Sequence, residues 1–385
     1  MNNMERKGLK APAYASLTLA FASFGDAFLY PFLPLNSMNV GVPVEWVGVL
    51  LSVNRLVRIF SNVWMVKLFA HYGLRLITIL AAILAIVSTA GYAMATSIAV
   101  WLLFRIAWGL AFSAMRIGTL GYSLQQSQQG FSLGLTRGIQ ELGPMTALLL
   151  APELLTYFSN TTIFLLLTTL SLPALYFAWN LPKGEDSTSP LSEKAFLQFP
   201  TPLNAITFTS ALLIDGVMVV VLGILFLQYK ESISLLTATA LAALYLGYRR
   251  ICLVIISPVG GWASDKLGIN RIFNVSLAAV IFGFIVLTLG WIETGAIVVF
   301  TFYSVVAAIT PGYVSQQQTH PLSAVAANAT WRDIGAVLGT LIGGLLLTTH
   351  YLHELLIFSI FSLMLLLFIH LGTAQRILKL WYTWK

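Results

Sequence analysis

Charged residues are few in this chain: Asp, Glu, Lys and Arg together make up 9% of its 385 residues. A water-soluble domain carries about 25%, so an ordinary soluble fold is excluded. The same scarcity removes nucleic acid as a partner. The net charge is +7, yet a nucleic-acid binder gathers many cations on one face. Cysteine is nearly absent, and with Cys252 alone no internal disulfide framework exists. The five histidines are scattered, and only His350 and His353 lie close together. With Glu354 as the sole further donor nearby, that pair reads as a solvated loop in preference to a metal site. No Gly-x-x-x-x-Gly-Lys phosphate loop, nucleophile–base pair or cofactor motif is present, so neither an enzyme nor a cofactor is expected.

What remains is apolar: 58% of the residues are hydrophobic and the mean hydropathy is +0.85. These values describe an integral membrane protein. The basic N-terminus runs into an apolar stretch from Ala11 to about Leu33. That is longer than the core of a signal peptide and contains Asp26, so it reads as a spanning helix. A hydrocarbon core about 30 Å thick takes about 20 helical residues. By that ruler twelve spans are expected: 11–33, 45–66, 74–95, 97–119, 133–155, 161–181, 203–227, 234–258, 271–291, 295–314, 323–348 and 352–372. Lys and Arg collect in alternate connections, at Arg6, Lys7, Lys10, Lys67, Arg75, Lys183, Lys194, Lys266, Arg271, Arg376, Lys379 and Lys385, with Arg116 and Arg137 at the edges of the fourth, whereas Lys230 stands alone on the other side. Positive loops stay in the cytoplasm, which predicts that both termini lie there.

The longest polar stretch, Leu-Pro-Lys-Gly-Glu-Asp-Ser-Thr-Ser-Pro, falls between the sixth and seventh spans. It divides the chain into residues 1–181, a linker at 182–202, and residues 203–385. The two parts read as repeats. A shift of 195 places Arg55 on Arg250, Gly73 on Gly268, Arg137 on Arg332 and Ile139 on Ile334. A shift of 191 places Gly121-Tyr122 on Gly312-Tyr313 and Gln125-Gln126 on Gln316-Gln317.

Charge within the spans is costly, by about 2.5–3.5 kcal/mol per residue at the bilayer centre on the most lenient scale, and usually marks a working pathway. In the first span Ser23, Asp26 and Tyr30 share one stripe, with Asp26 about 20 Å along the helix. Asn54, Arg55, Arg58, Ser61 and Asn62 form one polar face of the second span and are the expected partners of Asp26. Asp215 with Arg249 and Arg250 repeats the pattern. Such an acid is either a proton carrier or half of a structural ion pair. Glu141, one turn from Arg137, is either a second titratable carrier or the i, i+4 partner of that arginine. Arg55, Arg58, Arg105, Arg249 and Arg250 outnumber Asp26 and Asp215, so a shared cavity would call for an anion, with Tyr30, Trp108 and Tyr248 as its aromatic wall.

Three motifs resemble those of the major facilitator superfamily. Gly261-x-x-x-Asp265-Lys266-x-Gly268-x-x-Arg271, which reads as a tight polar turn, resembles its cytoplasmic-loop signature. Arg105 followed by Gly109 resembles the fourth-helix signature, and by that resemblance Arg105 assists proton transfer. Gly134, Gly138, Gly143 and Pro144 partly match the fifth-helix signature of proton-coupled antiporters, although Met145, Thr146 and Ala147 stand where further glycines are usual. The loop after the second span has Ala70 in place of the aspartate, so Asp265 is left to make any cytoplasmic latch. Arg332 and Asp333, with a glycine stripe through Gly335, Gly339, Gly343 and Gly344, are expected at the cytoplasmic gate.

The resemblance implies an all-α polytopic protein of two pseudo-symmetric six-helix bundles. It implies a monomeric secondary transporter in the cytoplasmic (inner) membrane, driven by protons and moving a small solute by alternating access. The excess of arginine makes the solute an anionic metabolite, siderophore or drug, and the fifth-helix motif favours efflux. An importer or uniporter of similar solutes is the alternative within transport, and a transport-inactive receptor or assembly component is the alternative outside it.

Overall fold

The computed structural model describes residues 3–182, 201–229, 234–346 and 351–383. Helices occupy all twelve expected span positions, and no strand occurs among the described residues. Nine of these described helices or helix runs are long and apolar enough to cross a membrane. The other three positions are the first, fifth and eleventh. There the charge lies at the basic N-terminus, at Arg137 with Glu141, and at Arg332 with Asp333.

Three spans are interrupted in ways that a hydropathy window averages away. The first is α1 (Asn3–Ala22) followed by α2 (Phe24–Asn36), parted at Ser23, whose hydroxyl donates to the Leu19 carbonyl at 2.6 Å. Next come α3 (Val44–Tyr72), α4 (Leu74–Met94), α5 (Ile98–Leu124) and α6 (Gln129–Tyr157). The sixth position is split into α7 (Asn160–Ser171) and α8 (Pro173–Trp179). Pro173 lacks an N–H, so a new helix starts there instead of the old one continuing. The seventh is α9 (Pro202–Ser210), a π-helical stretch Ala211–Val217, and α10 (Met218–Tyr229). Asp215 sits inside that π stretch, a geometry that is rare and frequent at functional sites.

The remaining helices are α11 (Leu235–Leu267), α12 (Ile269–Thr288), α13 (Ile292–Gln316), α14 (Pro321–Leu346) and α15 (Leu352–Thr383). Here the structure corrects the sequence reading. The signature from Gly261 to Leu267 was expected as a polar turn, but it forms the last two turns of α11. Nothing in Trp262-Ala263-Ser264-Asp265-Lys266 breaks a helix, and only Gly268 does so, at φ +91°. Its repeat partner Gly73 ends α3 in the same way at φ +79°. Both positions need a residue without a Cβ, and each closes its helix by an N–H bond to the residue four back, Ser264 at 3.0 Å and Phe69 at 2.8 Å.

One buried apolar cluster is drawn entirely from residues between 203 and 363. A second comes from residues between 24 and 167, and a third from residues between 15 and 181 joined by Ala326 and Ala329. The N-terminal helices α1–α8 meet the C-terminal helices α9–α15 chiefly along two seams, α6 on α11 and α3 on α14. Without a hydrophobic drive between helices in lipid, such seams depend on small residues that admit close backbone approach. A Cβ placed on Gly138 would lie 2.7 Å from the Val254 carbonyl oxygen, and one on Gly134 would overlap the Ser257 carbonyl. Within the C-terminal helices, a Cβ on Gly339 of α14 would overlap the Leu212 carbonyl in the π stretch.

That last contact gives a direct test. Gly339→Ala is expected to lower Tm by several degrees, because overpacking costs about 1–3 kcal/mol. Gly344→Ala, on the same helix with nothing within 4 Å of the added carbon, is expected to melt with the wild type. Equal melting of the two variants in a detergent thermal scan would show that close approach at Gly339 does not hold the pair together.

Candidate functional site

A carboxylate in hydrocarbon must find a partner, and four carboxylates near the middle of the spans do so around one space. Asp26 of α2 pairs with Arg105 of α5 and accepts from the Asn54 amide at 3.2 Å. Arg105 is fully buried, and its Nε also donates to the Leu50 carbonyl at 2.7 Å. Asp215 pairs with Arg249 and with Arg332 at 2.9 Å, and it accepts from the Tyr303 hydroxyl at 2.9 Å. These two clusters stay within the N-terminal and the C-terminal helices respectively.

The other two carboxylates bridge the sets. Glu141 of α6 pairs with Arg137 one turn back at 3.2 Å and with Arg250 of α11 at 3.0 Å. Asp333 of α14 pairs with Arg58 at 3.4 Å and Arg116 at 3.2 Å and accepts from the Asn62 amide at 3.1 Å. The Ser113 hydroxyl holds the other end of that amide. Arg58 in turn lies over the Phe112 ring, 4.6 Å from its centroid, a cation–π contact.

Between these clusters lies a cavity of about 390 Å³. Seven guanidinium groups reach its wall, from Arg55, Arg58, Arg116, Arg137, Arg249, Arg250 and Arg332, against the four carboxylates of Asp26, Glu141, Asp215 and Asp333. Tyr30, Phe112 and Pro144 add aromatic and apolar wall. Among the described residues Arg55 has no ion-pair or hydrogen-bond partner. Net positive charge in a low-dielectric chamber attracts an anion strongly.

The structure therefore brings Asp26, Asp215, Glu141, Arg55, Arg58, Arg249, Arg250 and Tyr30 together, and it moves other expected residues. Arg105 is spent behind the wall on Asp26 and two backbone carbonyls of α3. Trp108 is buried in a core cluster against Phe112, 6.0 Å between centroids. Tyr248 turns away to bond Thr301 at 2.7 Å. Asp26 finds its arginine on α5 and not on the second span. Arg332 and Asp333, expected at the gate, line the cavity itself. Arg116 and Arg137 were read as residues of the cytoplasmic edge, yet both line it too. The signal for Arg137 was its repeat match to Arg332, as Arg55 is matched to Arg250, and all four line the same wall.

Of the expected gating residues, Asp265 has the clearest geometry. One carboxylate oxygen accepts from the Gly130 N–H at 2.8 Å and the other from the Phe131 N–H at 2.7 Å. The side chain thus caps the N-terminus of α6 from the end of α11, satisfying N–H groups that have no partner within their own helix and meeting the positive end of its dipole. Gly261 packs directly on the Gly130 backbone. Gly138 lies on the same seam, whereas Gly143 approaches the Ala20 carbonyl of α1 and so belongs to the packing of the N-terminal helices. Arg271 is exposed at the start of α12 and makes no ion pair among the described residues. His350 lies outside the described residues, and His353 bonds the Tyr229 hydroxyl at 2.9 Å.

An all-helical, multi-span protein with a charged cavity between two helix seams is built as a secondary transporter. The family model of the Major Facilitator Superfamily matches residues 15–340, and the chain belongs to that superfamily: it is an integral multi-pass transporter of a small solute, not an enzyme. Three solved structures share the fold. The human organic anion transporter MFSD10 (TETRAN) superposes with a TM-score of 0.70 at 16% identity, over 94% of this chain and 100% of that one. A bacterial homologue of the iron transporter ferroportin in an outward-facing state gives 0.65 at 13%, over 96% and 100%. The E. coli fucose:proton symporter FucP gives 0.73 at 11%, over 94% and 97%. No curated protein sequence matches the chain.

The cap on α6 sets an expectation. Removing a capping side chain costs about 0.5–2 kcal/mol, so Asp265→Ala should open the α6–α11 end roughly 2- to 30-fold more often. A Thr136→Cys reporter, buried on the face of α6 turned to α5 and lining the pocket between the N-terminal and C-terminal helices, should then react with maleimide faster by a similar factor, over a low background because the native Cys252 is buried. An unchanged labelling rate would show that the cap does not hold this end shut.

Proposed function

We propose that the chain carries a small organic anion across the cytoplasmic membrane by proton-coupled alternating access, most readily as an exporter. The observation that carries this reading is the wall of seven guanidinium groups against four carboxylates, with Arg55 unpartnered among the described residues. Arg55 and Arg58 would take the anionic group of the solute, and Arg249, Arg250 and Arg332 would complete the positive field. Tyr30 and Phe112 would face its apolar part. The human transporter of the same fold is described as an organic anion transporter, which accords with this charge balance.

Proton coupling on this reading centres on Glu141. Asp26 and Asp215 hold arginines of their own set of helices, so protonating either loosens one set alone. Glu141 holds Arg250 across the seam. A proton on Glu141 would weaken that tie and free Arg250 for the solute, linking occupancy to opening. Asp26 and Asp215 remain the supporting carriers.

The organisation that goes with this function is two six-helix bundles, residues 1–181 and 203–385, joined by a linker at 182–202 and rocking about the cavity. The clusters of buried residues, largely confined to one side of the linker, support it. The basic connections would place both termini in the cytoplasm. The close glycine contacts at Gly134 and Gly138 support the antiporter likeness of α6, and with it outward transport; the reading takes the transporting unit to be a monomer. The fold neighbour named as a fucose:proton symporter keeps import as the competing direction, which flux into everted vesicles against right-side-out vesicles decides.

In proteoliposomes, Arg55→Gln should weaken binding of compact anionic metabolites at least tenfold, because it removes a desolvated charge from its counter-ion. Glu141→Gln should keep binding within a few fold while flux no longer follows the pH gradient. Wild-type anion binding by Arg55→Gln would remove the anion assignment, and wild-type pH coupling by Glu141→Gln would remove Glu141 from the proton path.

A further inference from the structure

The α6–α11 seam is closed along one stretch and parted along another. Near Gly134 and Gly138 the helix backbones touch. About three turns further along α6, Leu148 and Leu149 are separated from Leu244, Gly247 and Ile251 of α11 by a groove of about 640 Å³. Its outer lip is exposed, with Leu149 at 75% and Leu244 at 65%, and in a spanning helix that surface faces lipid. Gly247 deepens it, since an added Cβ there would meet nothing within 4 Å.

One charged residue lines this groove, Arg250, and the same arginine lines the central cavity; Leu148 is likewise shared by both. A depression that merely accommodated bilayer lipid would be walled off from the polar interior, because a guanidinium facing hydrocarbon is costly. Here the apolar groove and the arginine-rich cavity meet at one residue instead. The groove supplies a surface for hydrocarbon, and its inner end supplies positive charge.

We infer that the groove holds the alkyl tail of a single-chain amphiphile whose anionic head lies in the central cavity against Arg250 and Arg55. The solute class is then an amphipathic organic anion, reached or released sideways through the bilayer. The inference rests on the anion-carrier reading of the cavity and adds the tail to it. From Ala243 to Ile251 the α11 axis rises about 12 Å, the length of a medium alkyl chain. Burying such a chain raises affinity about three- to fourfold per methylene.

The test uses the full-length protein in lipid nanodiscs, with radiolabelled succinate, hexanoate and decanoate as probes and empty discs subtracted. Binding is expected to tighten about three- to fourfold per methylene from hexanoate to decanoate. Gly247→Trp, which fills the groove, should weaken decanoate binding at least tenfold while succinate binding stays within a factor of two, which also shows that the variant is folded. Leu149→Trp should do the same from the opposite wall. Decanol, with the tail and no charge, should displace decanoate at least tenfold more weakly than unlabelled decanoate does, and equal displacement by the two overturns the placing of the head against Arg250 and Arg55. Equal affinity for hexanoate and decanoate, or decanoate binding untouched by both tryptophans, overturns the groove assignment. In that case, succinate binding that still falls with Arg55→Gln leaves the cavity reading standing. Loss of any Arg55 dependence for all three probes overturns the cavity reading and this inference with it.

Discussion

The architecture depends on one constraint: a carboxylate inside a bilayer has to be matched by a cation, and the match fixes which helices are neighbours. Asp26 ties α2 to α5, and Asp215 ties the π stretch to α11 and α14. Glu141 and Asp333 tie the N-terminal helices to the C-terminal ones. Guanidinium groups exceed carboxylates around the cavity, and among the described residues Arg55 is left without a match. On the anion-carrier reading proposed above, the remainder is a demand for negative charge that the solute meets.

The ties within each set of helices and those between the sets differ in consequence. A bond within a set can persist while the sets move as bodies, and Asp26 with Arg105, buried and braced by backbone carbonyls, has the character of a fixed strut. A bond across the seam has to break whenever the seam opens. Asp333, which accepts from three residues of the N-terminal helices, is the most heavily committed of these. Its position beside the cavity places the lock within reach of whatever the cavity holds.

Much of this was legible in the sequence, and the failures have physical causes. The twelve positions were readable because a spanning helix needs an apolar run of fixed length. The convergence of Arg55, Arg58, Arg250, Asp26 and Asp215 was readable from depth, whereas the repeat offset held a signal for Arg137 and Arg332 that their placing at the cytoplasmic edge and gate overrode. Depth gives height along a span but not which neighbour it meets. That is why Asp26 was assigned to the second span when its arginine stands on α5, and why Trp108, at a suitable height, proved to face the core. The π stretch was invisible because Ala-Leu-Leu-Ile-Asp-Gly-Val carries no breaker that marks it. The signature ending in Gly268 was read as a turn from its polarity, although only the glycine obliges the helix to stop.

The carboxylate of Asp265 on the first N–H groups of α6 has a consequence for the solvent. On the alternating-access reading proposed above, parting of that contact would pass the two backbone donors and the aspartate from each other to water, so this end of α6 would be more hydrated open than closed. Two such conformations would differ in their affinity for water as well as for solute. Osmolytes excluded from that end would then favour the closed arrangement, and the activity of water on that side of the membrane would bias the equilibrium.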